Sequence, residues 1–166
     1  MSETNIGKIN DVIKEFLEEV YDGPKHEYTW FINNDPNSGL LGTIENMDSN
    51  DASTQITQNG TTIAAHIEHL RWTLEKTNAY LRGEKQAMIW LESWRVRKVN
   101  DAEWETLIQQ LRREYIAIKE SVKEMKWASD EQLKEILALI PHAAYHLGAI
   151  RQIVLLTKKK NPSALS

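Results

Sequence analysis

The sequence predicts an all-α protein, a four-helix bundle with a long connection between the first and second long helices. Three observations carry that reading. Apolar residues recur at helical spacing in four long segments. No segment alternates apolar and polar residues in the manner of a half-buried strand. The stretch 33–60 is rich in Asn, Asp, Ser, Gly and Thr, which is the composition of a connection between packed helices.

The first helix is expected over residues 5–21, where Ile6, Ile9, Ile13, Phe16, Leu17 and Val20 form one stripe and Asp22-Gly23-Pro24 stops it. A further short helical piece is expected around residues 25–32. Inside the long connection Leu40, Leu41, Ile44 and Met47 make an apolar island, which predicts that the connection folds back over the body of the protein.

The second helix starts at a Thr61 or Thr62 cap, carries Ile63, Ile67, Leu70, Leu74, Thr77 and Leu81 on its buried stripe, and ends at Gly83. A connection with Trp90 and Trp94 follows. The third helix is capped by Asn100 or Asp101 and buries Trp104, Leu107, Ile108, Leu111, Tyr115, Ile118, Val122 and Met125. Ser129, with Gln132 three residues on, reads as a capping box opening a last helix that runs to about residue 157. Pro141 lies inside it and predicts either a kink or a fresh helix start just before His142. Lys158 to Lys160 read as cations at a helix C-terminus, with residues 161–166 as a frayed tail.

Residues 1–166 are most simply one domain, long enough to bury roughly two-thirds of the surface the unfolded chain exposes. The 20 basic and 24 acidic residues are dispersed and sum to −4, so no basic stripe points to nucleic acid. No apolar run approaches the ~20 residues that span a bilayer, and the polar N-terminus lacks the pattern of a signal peptide, so a cytoplasmic protein is expected. The chain has no cysteine and cannot supply its own thiolate as nucleophile or metal ligand.

Four of the five histidines fall in two helix-spaced pairs, His66 with His69 and His142 with His146. Residues i and i+4 lie on one helix face, so His142 and His146 can reach one point in space, and neutral imidazole is a common ligand for divalent transition metals. His146, Leu139, Ile150, Ile153 and Ala149 fall within about 60° of His142 on the wheel, which turns the pair toward the core. On the second helix His66 lies about 60° and His69 about 120° from the stripe's centre, at ~100° per residue. The competing reading is that core-edge histidines are satisfied by hydrogen bonds alone. Clustering most of the histidines on facing helices favours a shared partner such as a metal. Trp72 and Trp94 are candidates to wall a pocket over it. Arg151 and Arg71 are candidates to receive a carboxylate of a peptide-like thiol co-substrate. Tyr145 and Glu68 lie within a turn of a candidate ligand but project off the ligand face, so no catalytic base is assigned.

The segments Thr62-Ile63-Ala64-Ala65-His66-Ile67-Glu68-His69-Leu70 and His142-Ala143-Ala144-Tyr145-His146-Leu147-Gly148-Ala149-Ile150 resemble the DinB/YfiT-like superfamily of bacterial four-helix-bundle proteins. The resemblance covers nearly the whole chain in helix order and in the long first connection. Its most specific part is the His-x-x-x-His pair followed by Gly and Ile. It implies a divalent metal (nickel, zinc or iron) held by one histidine of the second helix and two of the last, and a homodimer. Characterised branches include transferases for low-molecular-weight thiols and a thiol-dependent isomerase. Carried across, the ligands of the last helix fall on His142 and His146. Counting from the Ser/Thr helix start places the third on His69, whereas the helical wheel puts His66 nearer the buried centre; His66 stays as an alternative or additional ligand. The expected function is therefore metal-dependent transfer of a low-molecular-weight thiol to a small-molecule substrate. A metal-dependent hydrolase and a non-catalytic, stress-associated dimeric metal-binding bundle are the alternatives.

Overall fold

A computed structural model of the chain describes residues 3–160. The expected cations at Lys158 to Lys160 and the frayed tail at 161–166 lie outside the described side chains and residues. Among the described residues there are six α-helices and no strand: α1 (Glu3–Tyr21), α2 (Leu40–Ile44), α3 (Ser49–Ser53), α4 (Ile63–Leu81), α5 (Asp101–Lys123) and α6 (Asp130–Lys160). A 3-10 turn, Trp90–Trp94, sits between α4 and α5. The four long helices α1, α4, α5 and α6 correspond to the four apolar stripes. Helix α1 packs on α5 and α6, and α4 packs on the same two, an arrangement compatible with a four-helix bundle.

The shared core joins Ile13, Leu17 and Val20 of α1 to Ile67, Leu70 and Leu74 of α4, Leu111 and Ile118 of α5, and Ala143, Leu147 and Ile150 of α6. Each of these leucine, isoleucine and valine side chains contributes about 1.5–3 kcal/mol on burial. Polar bonds fix the helices' relative heights. The Asn78 side-chain amide of α4 donates to the Glu114 carbonyl of α5 at 3.0 Å and to its carboxylate at 2.9 Å. Asn10 of α1 donates to the Met125 carbonyl at 2.9 Å and accepts from the Trp127 indole at 2.9 Å, which holds α1 against the turn between α5 and α6.

Several ends follow the expected capping chemistry. Thr62 caps α4 by accepting from the Ala65 N–H, and its hydroxyl donates to the Arg97 carbonyl at 2.9 Å. Asn100 caps α5 in a reciprocal box with Glu103. At α6 the Gln132 N–H donates to Ser129 Oγ, while the Gln132 side-chain oxygen takes the N–H of Ala128.

The apolar island becomes α2, with Leu40, Leu41 and Ile44 buried. Gly39 has to be glycine here, because a Cβ would meet the Gly23 nitrogen at 2.4 Å where the connection crosses the end of α1. The connection is then pinned to α5: Ser49 Oγ meets Asp101 Oδ1 at 2.5 Å, and the Trp104 indole donates to the Met47 carbonyl at 2.8 Å.

One local expectation is corrected, and at Pro141 one of two alternatives is removed. Residues 25–32 are bends, not helix. The reason is the buried Glu19 carboxylate, which accepts from the N–H groups of Trp30, Phe31 and Ile32 at 2.8–3.2 Å and takes the donors that a helix would have used. Helix α6 also runs unbroken through Pro141 instead of restarting there. Pro141 is exposed, as is Leu137 one turn earlier, so the carbonyl that Pro141 leaves without a donor sits on the solvent side.

A candidate metal centre

Helix α4 presents His66 and His69, and α6 presents His142 and His146, across the seam where these two helices pack. His66, His69 and His146 are buried, and His142 is half-buried at the edge of the cluster. His69, His142 and His146 each offer a ring nitrogen within 4.8 Å of the others'. The Nε2 of His142 stands 3.0 Å from the Nε2 of His69 and 3.1 Å from the Nε2 of His146. Two nitrogens bound tetrahedrally to one zinc at its usual bond length lie ~3.3 Å apart, so the spacing is close to that of ligands on one ion.

The outer nitrogens explain why the inner ones converge. His69 Nδ1 lies 2.7 Å from Ser93 Oγ, and Ser93 Oγ lies 2.7 Å from the Trp90 carbonyl. A carbonyl only accepts, so Ser93 spends its proton on Trp90 and takes the Nδ1 proton of His69. That tautomer leaves a lone pair on His69 Nε2, aimed at His142. His146 Nδ1 faces His66 Nδ1 at 2.8 Å. With His146 as donor in that pair, the His146 Nε2 is also a lone pair. One proton on His142 Nε2 can satisfy one of its two neighbours well, whereas a cation at the centre would satisfy all three.

His66 therefore stands behind His146, on the side of the ring away from His142, outside the group of three converging nitrogens. A closed site made from four histidines is not what this arrangement offers.

Burial keeps the cluster neutral. It lowers His66 to about 4. Burial, joined by the charges His142 and His66 would carry, lowers His69 to about 4. His146 is lowered to about 3 by burial and then by His142, His66 and His69, and burial lowers His142 as well. Neutral imidazole is the form that binds a metal.

The 3-10 turn roofs the cluster. The Trp94 ring stacks on His69 with centroids 4.2 Å apart, and lies 5.6 Å from His66 and 5.8 Å from His146. Trp90 approaches His69 at 6.1 Å. Trp72 is buried against Trp90 at 5.4 Å and stands one layer back from the histidines. Below Trp90 a cleft of about 310 Å³ opens along the α4–α6 seam, with His142 in its wall.

The remaining candidates are engaged elsewhere. Arg151 donates to the Asn33 side chain and the Ser38 carbonyl, tying α6 to the long connection. Arg71 is held by Glu68 and Glu75, both at 2.6 Å, which raises its pKa and also occupies Glu68. The Tyr145 ring touches His146 edge-on but is 72% exposed. Gly148 is exposed, and a Cβ there would meet nothing within 4 Å, so packing inside this chain does not demand it.

Ser93 and Trp90 are the site residues that sequence reasoning missed as such. The only trace of them is the i, i+3 spacing of Trp90 and Ser93, which a 3-10 turn places on one side.

Compared with known proteins, the chain has no significant match among family models, curated proteins or solved structures.

Proposed function

We propose that the protein is a divalent-metal enzyme of the DinB-like kind, a four-helix bundle and homodimer in which His69, His142 and His146 hold nickel, zinc or iron and a low-molecular-weight thiol is transferred to a small-molecule acceptor. The observation that carries the metal part is the convergence of three neutral Nε2 groups, two of them backed by a partner on the opposite ring nitrogen. When bound, an ion with three imidazoles and an open position supplies a Lewis acid able to hold a thiol as its thiolate near neutral pH.

The chain's residues supply the rest. Ser93 and His66 orient His69 and His146. Trp94 covers the buried side of the cluster and keeps water from it. Half-buried His142 leaves an approach from the cleft. The thiol part is supported by the family resemblance; the chain has no cysteine, so in this reading the thiol comes from outside it. The transfer forms one S–C bond to an electrophilic carbon of the acceptor and breaks that carbon's bond to its leaving group. The leaving group departs with the bonding pair, and the thiol proton passes to solvent.

A panel of small thiols with a generic aryl halide acceptor tests the reading. Thiol-dependent turnover that disappears in His142→Ala is the expected result. Activity that does not depend on thiol would replace transfer with hydrolysis, and no activity with any thiol in metal-loaded protein would remove the enzyme reading.

A further inference from the structure

The cleft beside His142 is mostly apolar, with its two titratable side chains, His142 and Glu135, at opposite ends of one wall. Along α6, Glu135, Ala138, Leu139 and His142 occupy one face at helical spacing and line one wall. Thr73 and Thr77 of α4 line the other, and Thr73 turns its hydroxyl back to the His69 carbonyl at 2.8 Å. Met88 and Trp90 form the roof, each about half exposed, as a lip over an open cleft. The histidines therefore stand at one end and the Glu135 carboxylate at the other, seven residues apart, or about 10 Å along the helix axis.

Glu135 is exposed and has no ion-pair partner among the described residues. Lys76, next to Thr77 on α4, is engaged: its ammonium donates to Gln86 at 2.7 Å and lies over the Trp72 ring. An apolar slot with a free carboxylate at its far end complements an amphipathic cation.

We infer that this cleft is the acceptor subsite, shaped for an elongated apolar molecule with a cationic group at the end away from the histidines, and that Glu135 recognises that charge. Its assignment as the acceptor site rests on the thiol-transfer reading; the binding itself does not. The apolar body lies between Leu139 and Trp90, and its reactive end reaches His142.

Titration of the full chain with octylamine, octanol and octanoate, followed by tryptophan fluorescence as purified and after EDTA, tests the inference. Octylamine should bind about fivefold more tightly than octanol, the effect of one partly exposed charge pair, with octanoate weakest. Glu135→Gln should erase that order without unfolding an exposed site, and Ala138→Trp should block all three probes by filling the slot. No binding, equal affinities, an amine preference that survives Glu135→Gln, or probes that still bind to Ala138→Trp would each overturn the inference. An amine preference that vanishes with EDTA would place the amine on the metal and overturn it too. If the preference holds while no thiol supports turnover, the proposed function alone fails.

Discussion

Ser93 accepts the Nδ1 proton of His69 across 2.7 Å, and that one bond decides which nitrogen of His69 is free. Because Ser93 is itself committed to the Trp90 carbonyl, the proton cannot run the other way. Ser93→Ala should therefore leave a folded protein whose metal affinity is weaker by about 10–100-fold, as for other partners of ligating histidines. Competition against a chromophoric chelator measures it; unchanged affinity would mean that Ser93 does not orient His69.

His66 and His142 separate supporting from ligating roles. His66→Ala should keep close to one metal per chain at reduced affinity, because only the Nδ1 partner of His146 is lost. His142→Ala removes the nitrogen that faces both others and should lose the metal. If the two variants behaved in the opposite way, the roles assigned to these side chains would be exchanged.

Much of this was legible in the sequence because it depends on periodicity. The stripes of α1, α4, α5 and α6 repeat at 3.6 residues, and His142 and His146 share a face for the same reason. The wheel puts His66 nearer the centre of the α4 stripe than His69, yet His69 is the one that meets His142 and His146; the neighbouring helix and Ser93 make the distinction. Ser93 sits in a 3-10 turn too short to have a period. The bends at 25–32 were hidden because Glu19, which captures their N–H groups, belongs to a different element. Arg151 reads as a substrate group from its place near His146, while its partners come from the long connection.

Acid should weaken the metal-free fold. His66 and His69 fall to about 4 and His146 to about 3 from an ordinary 6.5, so below 6.5 the unfolded chain binds protons that the folded chain refuses. The stability contributed by keeping these imidazoles neutral is present above 6.5 and is lost as pH falls toward 4. Urea midpoints of the EDTA-treated chain across that window should decline, and a triple His→Phe variant at 66, 69 and 146 should flatten its share of the decline. A wild-type midpoint independent of pH would contradict the burial assigned to the cluster.

The Glu19 clamp predicts a local effect. Glu19→Ala leaves the N–H groups of Trp30, Phe31 and Ile32 without their acceptor and should cost about 1–3 kcal/mol. Amide exchange should quicken at these three residues while the α4–α6 seam stays protected. Exchange that rises evenly over the whole chain would show that the clamp supports the entire fold.

Metal bound per chain, measured by elemental analysis on untagged wild-type protein beside His146→Ala, tests the central claim most directly. Near-stoichiometric nickel, zinc or iron in the wild type, absent from the variant, is the predicted result. No metal in either protein, even after reconstitution with each ion, would contradict it and leave the four histidines as partners of one another and of Ser93.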